Sequence, residues 1–182
     1  MFLVDKDIKR EVEVGNITLE PFDEERLQPA SYDILLGNKF MLHDSHDMAY
    51  IDPVKKEFAN LREVEIPDDG KFILHPGLSV IGFSHDYFGS DKFLIQLGGK
   101  SSLARIGLMI HNTAGIINPG HRLNVAFELS NTNNIPIILR PKMAIGQITF
   151  STLSSDTEQH YKDTGRYHDN NWNAYVPHKN DK

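Results

Sequence analysis

Between residues 98 and 121 the chain reads GGKSSLARIGLMIHNTAGIINPGH, and most of the groups able to do chemistry are concentrated there. Two glycines, Gly98 and Gly99, let a backbone approach a ligand closely. Ser101 and Ser102 can open a short helical turn whose N–H groups, with the cations of Lys100 and Arg105, would favour phosphate. The Gly-x-x-x-x-Gly-Lys spacing of a Walker loop is absent. The same residues therefore also read as a glycine turn followed by a capped helix. A little further on, NVAFELSN alternates, with Val125, Phe127 and Leu129 on one face and Asn124, Ala126, Glu128 and Ser130 on the other. If the second face lines a pocket, Glu128 can take and return protons as a general base and acid; on an open face it is simply solvated.

The elements that must position these groups are mostly strands. VDKDIKREVEVGN has an Asp at a possible N-cap, Val4, Ile8 and Val12 at helical spacing and Gly15 as a stop, which predicts one short leading helix. After it, short apolar runs recur between turn residues: SYDILL, KFML, KFIL, LSVIGF, KFLIQL, LMI, GII, NVAFEL, PIIL and AIGQITF. Regular short strands punctuated by HPG, NPG and Pro141 predict a sandwich or barrel. The more polar stretch from about 44 to 70 predicts loops around one strand. From Ser154 the chain becomes polar and dotted with aromatics, which suits either a disordered tail or a docked segment.

Composition narrows the chemistry. The chain has 182 residues, the size of one domain, and no cysteine, so thiolate metal sites and disulfides are excluded. Nine histidines include no HExxH and no i, i+4 pair, which argues against zinc. His111, in an apolar run, reads as a hydrogen-bonded core or pocket residue. A net charge of -6 argues against a broad nucleic-acid surface but allows a locally basic pocket for a small anion. The N-terminus lacks a signal-peptide core and no segment reads as a membrane span, so a soluble, cytoplasmic protein is expected.

The stretch GGKSSLARIGLMIHNTAGIINPGHRLNVAFELSN, with PIILRP and KMAIGQITF after it and LQPASYDILLGNKF and LHPG before it, resembles the dCTP deaminase family, which shares a trimeric fold with dUTPases. The resemblance runs from Asp5 to about Tyr167. It implies a mainly β subunit, a distorted jelly-roll or dUTPase-like β-barrel with a short N-terminal helix and few other helices. A single domain would span 1–182, with about 154–182 as a lid or tail. The resemblance further implies a homotrimer with active sites between subunits and hydrolysis of dCTP to dUTP and ammonia. Mg2+ would ride on the triphosphate, without zinc.

Carried onto this sequence, the resemblance makes Glu128, Arg105 and Ser101 catalytic. Lys100, Ser102 and Gln147 would contact nucleotide, and Ala126 and Phe127 would lie in the strand that meets the base. Asn118 stands where the family has the aspartate of a D-P-G turn, on the sugar hydroxyl. His121 replaces an aromatic residue. Tyr161, Arg166 and Asn170 would belong to the C-terminal lid. Ala114 and Gly115 resemble the pair in bifunctional members that carry dUTP on to dUMP. Asn118 points the other way, because an amide cannot accept a proton from water at neutral pH. Release of dUTP is therefore the leading expectation, with the bifunctional reaction and a non-catalytic nucleotide- or partner-binding homologue as alternatives.

Overall fold

The computed structural model describes residues 1–44, 46, 48–55, 57–165 and 167. The leading helix α1 spans Asp5–Glu13, buries Ile8 and ends as Gly15 turns to φ +78°. Its N-cap is Val4, with no side-chain cap, rather than the expected aspartate. Asp5 and Asp7 instead occupy the first turn, where their charge favours the positive end of the helix.

Every apolar run becomes a strand. SYDILL and KFML fuse into one, β3 (Ser31–His43), while KFIL forms β5 (Phe72–Leu74). LSVIGF lengthens into β6 (Ser79–Ser90), KFLIQL gives β7 (Leu94–Gly99), LMI gives β8 (Leu108–Met109) and GII gives β9 (Ile116–Ile117). NVAFEL lies in β10 (His121–Asn131), PIIL in β11 (Ile137–Leu139) and AIGQITF in β12 (Ala144–Ser151). The polar stretch holds one strand, β4 (Leu61–Glu65). Sequence reasoning misses β1 (Ile17–Glu20) and β2 (Leu27–Gln28), which are too short to show a period. A 3-10 turn at Glu24–Arg26 and two one-turn helices, α2 (Ser101–Ala104) and α3 (Tyr161–Thr164), complete the described chain.

The main sheet runs β8-β10-β6-β3-β12-β7-β9, with β1 on β6 and with β2 and β4 on β3. It curls into a half-barrel, so the expected mainly β class holds. Tyr32, Phe40, Phe88, Phe127 and Phe150, all fully buried, fill its inside.

The strand β3 belongs to both halves of the curl. Its first part pairs with β12 and its second part with β6, with a register break between Leu36 and Phe40. Gly37 sits in that break, and a Cβ there would lie 2.9 Å from the Phe83 carbonyl oxygen. Gly37 thus marks a close crossing of two backbones.

At the crossing, Asp86 accepts the Leu35 N–H at 2.7 Å and pairs with Arg26 at 2.7 Å. Arg26 also lies over the Tyr32 ring, 4.8 Å from its centre. Burial pushes the Tyr32 hydroxyl up to about 12, so it stays neutral and accepts the Asp23 N–H at 2.9 Å.

The Asp86 side chain is 1% exposed and that of Arg26 11%. Asp86→Ala should therefore strand a buried guanidinium and a backbone N–H, lowering unfolding free energy by about 3–5 kcal/mol in urea titration. Lys39→Ala is the contrast: its pairs with Glu63 and Glu65 are 3.7 Å long and about half exposed, so the loss should stay under about 1 kcal/mol.

Candidate functional site

The strand β10 presents Glu128 as the alternation predicts. Val125, Phe127 and Leu129 are buried, whereas Asn124, Ala126, Glu128 and Ser130 are partly exposed. The Glu128 carboxylate accepts the Asn112 N–H at 3.3 Å, so the loop after β8 passes over it. Phe127 lies in the same strand with its side chain buried in the core, so it offers only its backbone to a ligand. Among the described residues, β8 pairs only with Ser130 and Asn131, so the strand edge beside Ala126 and Glu128 has no neighbouring strand.

A second group lies across three strands. Asp33 on β3, Gln147 on β12 and Gly98 on β7 are direct cross-strand partners, which puts them on one rung of the sheet. Lys100 follows Gly98 and turns its ammonium back onto the Asp33 carboxylate. Gln147 accepts the Ser31 hydroxyl at 3.0 Å and donates to the Gly99 carbonyl at 3.2 Å. Beside them a cleft of about 270 Å3 is lined by Ser31, Gln96, Gly98, Gln147 and Thr149, among others. Lys100 and Gln147, far apart in sequence, are thus brought together. Asp33 and Ser31 were missed by sequence reasoning, and the only available signal was an acid inside the apolar run SYDILL.

The serines do not cap the helix that follows. Lys100 holds the N-cap position of α2 without a side-chain cap, and Ser101, Ser102 and Arg105 are exposed. Among the described residues their side chains have no hydrogen-bond or ionic partner, and none of them meets Glu128.

The third group surrounds the NPG turn. Asn118 is exposed and its carbonyl accepts the His121 N–H at 3.2 Å. The Tyr161 ring of α3 stacks on His121 at 4.1 Å, and the Tyr161 N–H donates to the Pro119 carbonyl at 3.0 Å. The His121 ring nitrogen Nε2 lies 2.9 Å from the Tyr167 carbonyl. The C-terminal segment is therefore docked as far as Tyr161 and Tyr167, while Arg166 and Asn170 lie outside the described residues. His111 is half-buried as expected, but its Nδ1 has no hydrogen-bond partner among the described residues.

Among the described residues no three His, Asp or Glu side chains gather as a metal cage. No helix among them is long and apolar enough to cross a membrane.

A family model described as dCTP deaminase-like matches residues 2–153. A protein named dCTP deaminase, dUMP-forming, from Beutenbergia cavernae is 44% identical over 162 residues, covering 88% of this chain and 84% of that relative. One of the same name from Bifidobacterium longum is 40% identical over 171 residues, covering 92% and 89%. In fold, the chain matches a solved 2'-deoxycytidine 5'-triphosphate deaminase from Agrobacterium tumefaciens with a TM-score of 0.63 at 20% identity over 84% of its length. It spans 48% of that larger chain. The strand bearing Glu128, the rung bearing Lys100 and Gln147 and the NPG turn all fall inside the matched segment, and the chain belongs to the dCTP deaminase-like family.

Proposed function

We propose that this chain deaminates dCTP and carries the product on to dUMP and pyrophosphate. The observation that carries the first step is Glu128 on the polar face of β10, beside an edge without a strand neighbour and held by the Asn112 amide. A water placed there attacks C4 of cytosine as Glu128 takes its proton. Glu128 returns that proton to ring N3, then moves the hydroxyl proton to the amino group, and ammonia leaves as the carbonyl forms. Ser101 and the backbone near Ala114 would help hold the water, and Arg105 would orient the carboxylate.

Two observations favour continuation to dUMP. The relatives at 40–44% identity are named dUMP-forming. In this chain Gly115 closes tightly on β7: its carbonyl accepts the Leu97 N–H at 2.7 Å, and a Cβ would lie 2.9 Å from the Leu97 oxygen. The Ala114-Gly115 loop is therefore held against β7 backbone to backbone, at a position that leaves no room for a larger residue than glycine. A second water then attacks the α-phosphorus, breaking its bond to the bridging oxygen of the pyrophosphate. Asn118 can hydrogen-bond the sugar hydroxyl but cannot take that water's proton, which passes to a phosphate oxygen of the substrate and leaves with the pyrophosphate. Magnesium carried by the triphosphate would neutralise charge on phosphate oxygens, and Lys100 and Arg105 are the chain's own cations for that end. Asn118 favours the second reading, a deaminase that releases dUTP.

The site is proposed to be completed in a homotrimer, because Ser101, Ser102 and Arg105 face outward and do not meet Glu128 within one chain. With dCTP and magnesium, chromatography should give dUMP and pyrophosphate in equal amounts with little dUTP. Accumulation of dUTP, one for each ammonia, would establish the second reading instead. Glu128→Gln should cut deamination by about 100-fold or more while dCTP still binds, and zinc-selective chelation should leave turnover unchanged. Mixing Arg105→Ala with Glu128→Gln protomers should restore part of the activity through sites that receive one intact residue from each chain. No recovery after subunit exchange would place both residues in the same chain's site.

A further inference from the structure

We infer that Asp33 is a positioning residue for the phosphate end of the nucleotide, acting through Lys100. This rests on the reading of Lys100 as a nucleotide contact. Asp33 is 9% exposed, and its Oδ1 is buried without a hydrogen-bond partner among the described residues. A buried carboxylate satisfied on one oxygen is a poor way to stabilise a sheet, because an apolar residue of similar volume would serve as well or better. Its one ionic partner among the described residues is Lys100, whose side chain is 27% exposed.

The rung supplies the geometry. Asp33, Gln147 and Gly98 are cross-strand partners, and Gln147 is itself held at both ends by Ser31 and Gly99. Lys100 is the flexible member, with a four-carbon stem that would otherwise sweep through solvent. Pairing with Asp33 removes that freedom before ligand arrives and leaves the remaining ammonium protons directed away from the carboxylate. An anion entering beside Gln147 thus meets a cation already in place, and less ordering is left for the binding step.

Asp33 also repels phosphate, an effect of opposite sign. The Lys100→Gln background, in which Asp33 has no cation to hold, reads that repulsion by itself. In a Glu128→Gln background, where dCTP is not consumed, calorimetry should show Asp33→Asn weakening dCTP binding by about five- to tenfold and Lys100→Gln by a similar factor. The combined change should bind no more weakly than Lys100→Gln alone, because Asp33 has nothing left to position. A purely structural Asp33 would weaken binding equally in both backgrounds. Full additivity, or unchanged binding in Asp33→Asn, overturns the inference.

Inorganic pyrophosphate titrated in parallel reads the anion site without the base. The non-additive pattern with pyrophosphate, in a chain that does not deaminate dCTP, would fell the proposed function and leave the Asp33–Lys100 role standing. Deamination with additive effects would do the reverse. Should Asp33→Asn not fold, the Lys100 ammonium signal in 15N-lysine spectra of the unaltered chain decides: it should be resolved from those of exposed lysines before ligand is added. A Lys100 signal at the free-lysine position would overturn the inference.

Discussion

Strand β6 between Gly82 and Tyr87 is where the fold is held together, because both of its neighbours break register there. On one side β10 slips between Asn124 and Ala126, and on the other β3 slips between Leu36 and Phe40 as it leaves for β12. Each slip would leave a backbone N–H inside the protein without its ladder partner, at a cost of about 1–3 kcal/mol. The Ser84 hydroxyl takes the Val125 N–H at 2.8 Å, and the Asp86 carboxylate takes the N–H of Leu35, which lies at the irregularity where β3 pairs with β12, at 2.7 Å. The Ser84 hydroxyl also donates to the Asp86 carbonyl, tying the two repairs together. Glu128 lies shortly after one repaired break and Asp33 shortly before the other. The two carboxylates of the site are thus placed by polar groups that never touch a ligand.

The curl of the sheet separates polar chemistry from packing by strand alternation. On β10 the even-numbered residues 124 to 130 face outward while Phe127 and Leu129 fill the core. On β12, Gln147 faces the cleft between the buried Ile145 and Ile148 and beside Gly146, which lies at a register break. A charged group can stand on such a strand at little cost, provided that it is solvated or paired. Glu128 takes the first course with one backbone N–H as its partner, and Asp33 takes the second with Lys100.

The segment from Lys100 to Asn112 joins these two regions. It leaves β7 beside the rung, turns once as α2, pairs briefly with β10 as β8, and brings the Asn112 amide to Glu128. Its outward residues Ser101, Ser102 and Arg105 bury nothing in the chain. A helix of one turn gains little from propensity or packing, so the residue choice there reflects what lies outside the fold. The same holds for the edge of β10 beside Ala126, which no described strand covers.

The strand content, the leading helix and the outward direction of Glu128 were legible in the sequence, because alternation and turn residues are local signals carried by each segment alone. The Lys-Ser-Ser-Leu-Ala-Arg segment was legible as a short helical turn for the same reason, and so was the NPG turn. Asp33 was not: inside SYDILL it reads as an isolated acid, and only the pairing of β3 with β12 and of β12 with β7 sets it beside Gln147 and Lys100. The fusion of two apolar runs across Gly37 was equally hidden, since the backbone that requires that glycine, at Phe83, is distant in the chain. Nor could the sequence tell a loose tail from the docking of Tyr161 on His121, which depends on the turn at Pro119 having already formed. Local periodicity decides what each segment becomes and which way its side chains point. Which of those side chains meet is decided by sheet register, and register depends on pairing between strands far apart in the sequence.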